Sequence, residues 1–149
     1  MTNTTFKEVC DLFFNKIKDY SFIEMPEDIA YEVVIGYIKP ACLQFQSCNQ
    51  ELEIDEELQE FECKLTNNNI QMLVNYMVIE YIDSNYLRTA QALRSRLSSA
   101  DFKSLNLPQQ LSKVMELRSM LKSENDQLAI NKSYKNSPLF DLVLNRKKV

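Results

Sequence analysis

The sequence contains no histidine and only one glycine among its 149 residues. Without histidine there is no Ser-His or Cys-His pair for nucleophilic catalysis, and no ExxH motif for a di-metal site in a helical bundle. A single glycine excludes the glycine-rich loops that hold phosphate groups. With only four prolines, it also disfavours an all-β protein, whose tight turns need both residues. These absences predict a protein that is not an enzyme and has no cofactor.

The chain also lacks a membrane or export signal. Its longest apolar run is too short and too interrupted to cross a bilayer. The first ten residues, MTNTTFKEVC, lack the basic and apolar regions of a signal peptide. We therefore expect a protein that is made and kept in a cytosol and has no membrane partner.

The four cysteines show no metal-binding pattern. They have no CxxC spacing, and we would expect a metal site to include histidine, which the chain lacks. In a reducing compartment such residues are most often small buried hydrophobic side chains. We expect that role, with no metal, for Cys10, Cys42, Cys48 and Cys63.

The stretch 70–82, IQMLVNYMVIEYI, predicts the centre of the fold. It is apolar around most of its circumference when drawn as a helix, and such a helix is normally buried among neighbours. Thr66 is placed to cap it, and Gln71 and Asn75 lie four residues apart on one polar seam. The length fits one domain. We therefore predict an all-α protein, a four- to five-helix bundle with a central buried helix at about residues 67–83.

The first helix should begin at Thr5, because Thr5 and Glu8 fit a capping box. Apolar residues then follow at spacings of three and four until about Tyr20. Residues 21–25 are predicted to form a short connection. The apolar positions of this helix are Phe6, Val9, Cys10, Phe13 and Ile17.

The second helix is predicted over residues 27–48, opened by Pro26. Pro40 would collide with the carbonyl of Gly36, the only glycine in the chain. A continuous helix bent between these two residues is the preferred interpretation, and a break into two shorter helices is the alternative. The predicted apolar face consists of Ile29, Val33, Tyr37, Ala41 and Leu43 to Phe45.

A strongly acidic segment follows at residues 51–62. It resembles a calcium loop only superficially, because the glycine required at the sixth position is missing. We predict a solvated loop, partly helical through Leu58 and Phe61, that is a possible inter-subunit or channel-facing surface. Its acidic residues are Glu51, Glu53, Asp55, Glu56, Glu57, Glu60 and Glu62.

The remaining chain predicts two further helices and a tail. Ser84 and Asn85 should restart a shorter helix, an irregular stretch covers residues 98–107, and Pro108 should open the last long helix. Its core face is predicted to contain Leu111, Val114, Leu117, Leu121 and Leu128, with Met115 beside them.

The bundle should end at residue 132 and give way to an extended C-terminal arm, residues 133–149. The arm has an apolar cluster beyond the last core helix. Such a segment either folds back onto its own bundle or docks on another subunit, by adding a strand or filling a groove. Its anchors would be Tyr134, Leu139, Phe140, Leu142, Val143 and Leu144.

Charge is distributed unevenly. Residues 1–66 carry 14 acidic and 5 basic side chains, a net charge of −9, and residues 67–149 carry 7 and 12, a net charge of +5. One interpretation of this uneven charge is that both halves simply expose charged faces to solvent. The other is that it marks opposed surfaces that attract different partners, or each other in a homo-oligomer.

The pattern as a whole resembles the small helical head-to-tail connector proteins, also called adaptor or neck proteins, of tailed bacteriophages, particularly those infecting low-GC Gram-positive bacteria. Four stretches carry the resemblance: TFKEVCDLFFNKIKDYSF at the start, the central TNNNIQMLVNYMVIEYI, the SSADFKSLNLPQQL junction, and ENDQLAINKSY before the tail. It covers most of the chain in element order. Pro40 and the acidity of residues 51–62 depart from the family pattern.

The resemblance implies a structural virion protein at the head–tail junction, assembled in the host cytoplasm. Such proteins form a ring, usually of twelve copies, beneath the portal, where they extend the DNA channel and receive a downstream neck or tail protein. The arm would dock against the portal. The acidic half would either meet the basic half of a neighbouring copy or line the channel, where contact with DNA is non-specific. A helical interaction module acting as a monomer or dimer is the alternative function.

Overall fold

The computed structural model describes residues 2–18, 20–45, 52–87 and 107–135, and most of these residues are helical. The predicted all-α class is confirmed. The helices are α1 (Phe6–Lys16), α2 (Tyr20–Glu24), α3 (Glu27–Ile35), α4 (Ile38–Gln44), α5 (Asn67–Ile82) and α6 (Leu107–Lys135), with a π-helical turn (Asp83–Leu87) after α5. Two short strands, β1 (Ile54–Asp55) and β2 (Glu60–Phe61), form the antiparallel sheet.

Helix α5 is the centre of the bundle, as predicted. Eleven of its sixteen residues are buried, and α1, α4 and α6 all pack on it. The hydroxyl of Thr66 accepts a hydrogen bond from the amide of Asn69, which closes the first turn. The chain does not pause after Ile82, because the π-helical turn continues directly from α5. The predicted restart at Ser84 and Asn85 is therefore wrong, and the residues from 88 to 106 lie outside the described part of the chain.

The three neighbours of α5 lie on three different sides of it. Asn75 contacts α6, Tyr76 contacts α4, and Tyr81 contacts α1. At 100° per residue these positions are spread around the whole helix. Helix α3 packs on α1 and α4. It therefore lies on the side of α5 that is remote from α6.

Helix α1 begins as predicted and ends earlier. Thr5 is its N-cap, with its hydroxyl accepting from the amide of Glu8. The helix ends at Lys16, and a separate helix, α2, occupies Tyr20–Glu24, where a connection was predicted. The apolar side chain of Phe22 explains the difference, because it packs on the ring of Phe14, and a helical turn gives it that position.

The region predicted as one bent helix is two helices. Helix α3 ends at Ile35, with Gly36 as its C-cap, and α4 starts at Ile38. Pro40 is then the third residue of α4, where its missing amide hydrogen costs no helical bond. The alternative interpretation, a break, is the one that the structure shows.

The buried face of this region is displaced by one residue from the predicted face. The apolar side chains of Ile29, Val33 and Leu43 are exposed, and Ala41 and Phe45 are buried as expected. The residues that face the core are Ala30, Val34, Ile38, Ala41 and Phe45.

The acidic segment is a hairpin, not a partly helical loop. Ile54 pairs with Phe61 and Asp55 pairs with Glu60. The second strand also joins the N-terminal residues, since the Phe61 amide donates to the carbonyl of Thr4 at 2.8 Å. Bonds to residues so distant in sequence explain why the local pattern did not reveal the strands.

Helix α6 covers one side of α5 along much of its 29 residues. Among its described side chains only Leu121 and Asn125 are buried. Leu117, predicted at the core face, and Met115, predicted beside it, are exposed. Its backbone remains helical to Lys135, three residues beyond the predicted end of the bundle. None of the helices in the described residues is long and apolar enough to cross a membrane.

Candidate functional site

A cleft opens where α1, α2 and α3 meet. Its volume is about 360 Å³, and its walls are mainly apolar. Lys18 and Glu27 supply the charged groups of its lining. The other lining residues are Phe14, Ile17, Phe22, Ile23, Met25, Ala30 and Tyr31.

Aromatic side chains pack against one another beside the cleft. The ring of Phe22 lies 5.5 Å from that of Phe14 and 5.7 Å from that of Tyr81, and Phe14 lies 5.4 Å from Tyr31. The first and third of these pairs meet edge to face and the Phe22–Tyr81 pair is tilted, and contacts of this kind hold aromatic rings in preferred orientations. The short helix α2 is therefore tied to α1 and α5 through Phe22, while Ile23 beside it stays 73% exposed.

A second depression adjoins the cleft and is acidic. It has a volume of about 430 Å³ and shares Glu27 and Tyr31 with the cleft. Three of its lining side chains are acidic and one is basic. The lining consists of Lys7, Glu27, Asp28, Tyr31, Glu32, Ile35 and Gln59.

Tyr31 lines both depressions and stays protonated. Its hydroxyl donates a hydrogen bond to the Asp11 carboxylate, and this bond, more than any other effect, raises the pKa of Tyr31 to about 12. The ammonium group of Lys7 lies 6.0 Å from the centre of the Tyr31 ring, within cation–π range. The Tyr31 side chain is therefore neutral, and its contacts with Asp11 and Lys7 hold it in place.

An apolar cleft beside a group of carboxylates can receive a ligand that is apolar at one end and cationic at the other. Apolar walls receive apolar side chains, and the neighbouring carboxylates attract cations. Within the part of the chain that the structure describes, no group of three acidic or cysteine side chains is arranged to hold a metal ion.

The sequence analysis missed this cleft because it assigned residues 21–25 to a connection. A signal was present, since Phe22, Ile23 and Met25 place three large apolar side chains within four residues. An apolar run of this kind is unusual for a solvated connection.

The predicted acidic residues form a local network on the hairpin. The Asp55 carboxylate accepts hydrogen bonds from the amides of Glu57 and Leu58 and so closes the turn. Glu56 pairs with Lys39 at 2.8 Å, and Glu60 accepts from Asn3 at 3.1 Å. These contacts give three of the carboxylates structural roles in the hairpin.

Two of the acidic residues repel each other. Glu53 and Glu62 face one another, and a hydrogen bond between the carboxyl groups, followed by the negative charge of Glu53, raises the pKa of Glu62. The Glu57 side chain is exposed. Glu51 lies outside the described residues.

The first three residues of the predicted arm, 133–135, are helical and not extended, and the rest of the arm lies outside the described residues. The backbone of Tyr134 belongs to α6, and its side chain is not described. The other predicted anchors, Leu139, Phe140, Leu142, Val143 and Leu144, lie outside the described residues.

The described cysteines are free thiols in apolar surroundings. Cys10 is buried and Cys42 is half-buried, and burial raises their pKa values to about 12 and about 11. Cys63 is also half-buried. Thiols with such high pKa values are poor nucleophiles, which agrees with the predicted role as small hydrophobic side chains.

Comparison with protein-family models, with curated proteins and with solved structures finds no match to this chain.

Proposed function

We propose that this protein is a structural component of a bacteriophage virion that forms a ring at the head–tail junction. The ring would join the portal to neck or tail proteins and extend the DNA channel. The proposal is based on the resemblance of the sequence to head-to-tail connectors. One feature of the structure supports the ring: large apolar side chains are exposed both on the α2 and α3 side of the bundle and on α6.

The first apolar surface lies on the α2 and α3 side of the bundle and includes the cleft. Ile23 is 73% exposed at the cleft, and Ile29, which is 49% exposed, and Val33 on the next turn are exposed on α3. Exposed apolar side chains on these two helices are candidates for contact with another subunit.

A second set of exposed apolar side chains lies on α6. Met115, Leu117 and Met120 are exposed there, and Ile130 is exposed further along the helix. Methionine is a flexible residue that adapts to varied partner surfaces. A helix with one face on its own bundle and apolar residues elsewhere is suited to contact a further subunit.

Two different surfaces on one molecule favour head-to-tail association. In such heterologous contacts surface one of each copy meets surface two of the next, and the series closes into a ring when the rotation between copies allows it. A symmetric dimer would instead need a single self-complementary patch. The C-terminal segment, residues 136–149, supplies an additional docking element for another subunit of the assembly.

The hairpin exposes several carboxylates of the acidic half of the protein. Glu53, Glu57 and Glu62 are exposed on it. In a ring these carboxylates would either contact the basic half of a neighbour or face the channel, where like charge keeps DNA from adhering.

The test is to mix the purified chain with the portal protein encoded in the same genome and to image the mixture by negative-stain electron microscopy. We expect an added ring of density on one face of the portal, with no such density for portal alone. An unchanged portal would contradict the proposal. Binding of a single copy, seen by sedimentation as a monomer or dimer complex, would support the alternative function of a helical interaction module.

A further inference from the structure

The cleft and the acidic depression together form a groove whose two parts match the C-terminal segment in order. An apolar stretch, residues 139–144 (LFDLVL), is followed by three basic residues at 146–148 (RKK). The cleft is mainly apolar, with Lys18 and Glu27 in its lining. The depression next to it carries Glu27, Asp28 and Glu32 beside Lys7, a net negative charge. The chain therefore contains a segment with the chemistry that this groove would bind.

The segment is also long enough to cover both parts of the groove at once. From Phe140 to Arg146 an extended chain spans up to about 20 Å. The two depressions are adjacent, since Glu27 and Tyr31 line both of them. Phe140 can thus lie in the cleft while Arg146 lies over the carboxylates.

Phe140 cannot reach the cleft of its own molecule, so an arrangement with Phe140 in the cleft and Arg146 over the carboxylates requires a second copy. Helices α5 and α6 are antiparallel, because Asn75 bonds Asn125 and Asp83 bonds Arg118. The end of α6 therefore points away from the cleft, which lies at the level of Tyr81, where Phe22 packs.

The distance can be estimated from the helical rise. From Asn75 to Tyr81 in one direction and from Asn125 to Lys135 in the other, α5 and α6 separate Lys135 from the cleft by about 24 Å along the bundle. The five residues from Lys135 to Phe140 extend at most about 18 Å. The shortfall grows when the width of the bundle is included, since the cleft lies on the side remote from α6.

We propose that residues 139–144 of one copy dock in the apolar cleft of a second copy, with residues 146–148 over its acidic depression. This inference rests on the proposed function, of which it names one subunit contact: the docking partner of the C-terminal segment is another copy of the same chain. Each copy would then give a segment and receive one, which makes the contact heterologous and able to continue from copy to copy.

Two full-length variants test the proposal by complementation. Ile23→Asp places a charge at the cleft and keeps the segment, whereas Phe140→Asp alters the segment and keeps the cleft. Sedimentation velocity should show that each substitution weakens self-association about tenfold or more relative to the unaltered chain. An equimolar mixture should form a one-to-one dimer and stop there, because only one intact cleft and one intact segment can meet. That mixed dimer would also show that both variants are folded.

Leu43→Asp is the matched control. Leu43 is 65% exposed on α4 and does not line the cleft, so its replacement adds the same charge at a similar exposure. We expect its self-association to equal that of the unaltered chain. Equal weakening by Leu43→Asp and Ile23→Asp would overturn the proposal, and so would a mixture of the two docking variants that stays monomeric.

A photo-crosslink identifies the partner directly. Phe140 is replaced by the photoreactive residue benzoylphenylalanine in unlabelled chain, which is mixed with ¹⁵N-labelled unaltered chain and irradiated. We expect unlabelled peptides joined to labelled peptides from 14–31. Crosslinks confined to one molecule, or to surfaces other than the cleft, would overturn the proposal. These measurements use the isolated chain, so their failure is distinct from a failure to form rings on the portal.

Discussion

The side chains of Asn75 and Asn125 are hydrogen-bonded to each other, at 2.9 Å, and neither has any exposed surface. Asn125 also donates to the carbonyl of Met72 at 3.1 Å, and the ammonium of Lys16 donates to Asn75. A buried amide pair of this kind is satisfied in only one alignment of the two helices. It therefore fixes the register of α6 on α5.

Replacing one member of this pair should destabilise the protein more than replacing both. Asn125→Leu leaves the Asn75 amide buried without its acceptor, and we expect a loss of about 1–3 kcal/mol. Adding Asn75→Leu replaces both polar groups with apolar ones, which should recover part of the loss. Urea unfolding of the two variants and of the unaltered chain measures this, and additive losses would contradict the pairing.

Substitutions at two neighbouring valines test which face of α3 is buried. Val34 has no exposed surface and Val33 is 37% exposed. Val34→Ala should cost about 1–3 kcal/mol in the free energy of unfolding, because it removes two buried methyl groups and leaves a cavity. Val33→Ala is the matched control and should change it by less than about 0.5 kcal/mol. A larger loss for Val33→Ala than for Val34→Ala would mean that the predicted face, not the observed one, is buried.

The repulsion between Glu53 and Glu62 should make stability depend on pH. Because the folded-state pKa of Glu62 is raised, the folded chain binds this proton more readily than the unfolded chain. The repulsion is therefore complete above that pKa and disappears as the pH falls through it. Glu62→Gln should raise the melting temperature at neutral pH, and the difference should vanish in acid.

Glu57→Gln is the control for this measurement, since it removes the same charge from an exposed position in the hairpin turn. A larger gain at neutral pH for Glu57→Gln than for Glu62→Gln would show that net charge, not the carboxylate pair, is responsible. Thermal melts followed by circular dichroism across a pH series are sufficient.

The thiol of Cys10 should resist alkylation in the folded protein. With a pKa of about 12 it remains protonated in mildly basic buffer, and burial also blocks access. Iodoacetamide treatment followed by peptide mass spectrometry should find the Cys10 peptide unmodified until denaturant is added. Modification at the rate of the unfolded chain would show that α1 opens readily.

Features encoded by neighbouring residues were predicted from the sequence. The caps at Thr5 and Thr66 depend on a side chain three residues before an amide, and the continuous apolar surface of α5 needs no knowledge of its partners. The overall class followed from the same local patterns.

The remaining features depend on contacts between distant residues. In α3 the pairs Ile29 with Ala30 and Val33 with Val34 present apolar side chains to adjacent faces, so only packing on α1 decides which face is buried. The hairpin takes its stability partly from a bond to Thr4. The cleft requires α2 to be folded back on α1 by Phe22, which no local pattern states.

The length of α6 has a consequence for the size of any assembly. In the proposed contact, the C-terminal end of α6 sets the point at which the docking segment leaves the core of its own copy. The 29 residues of this helix span about 43 Å at 1.5 Å per residue. Inserting seven residues near its end would add about 10 Å with only a small rotation, since seven residues are close to two turns. The diameter of the ring would then depend on the number of helical turns in one element.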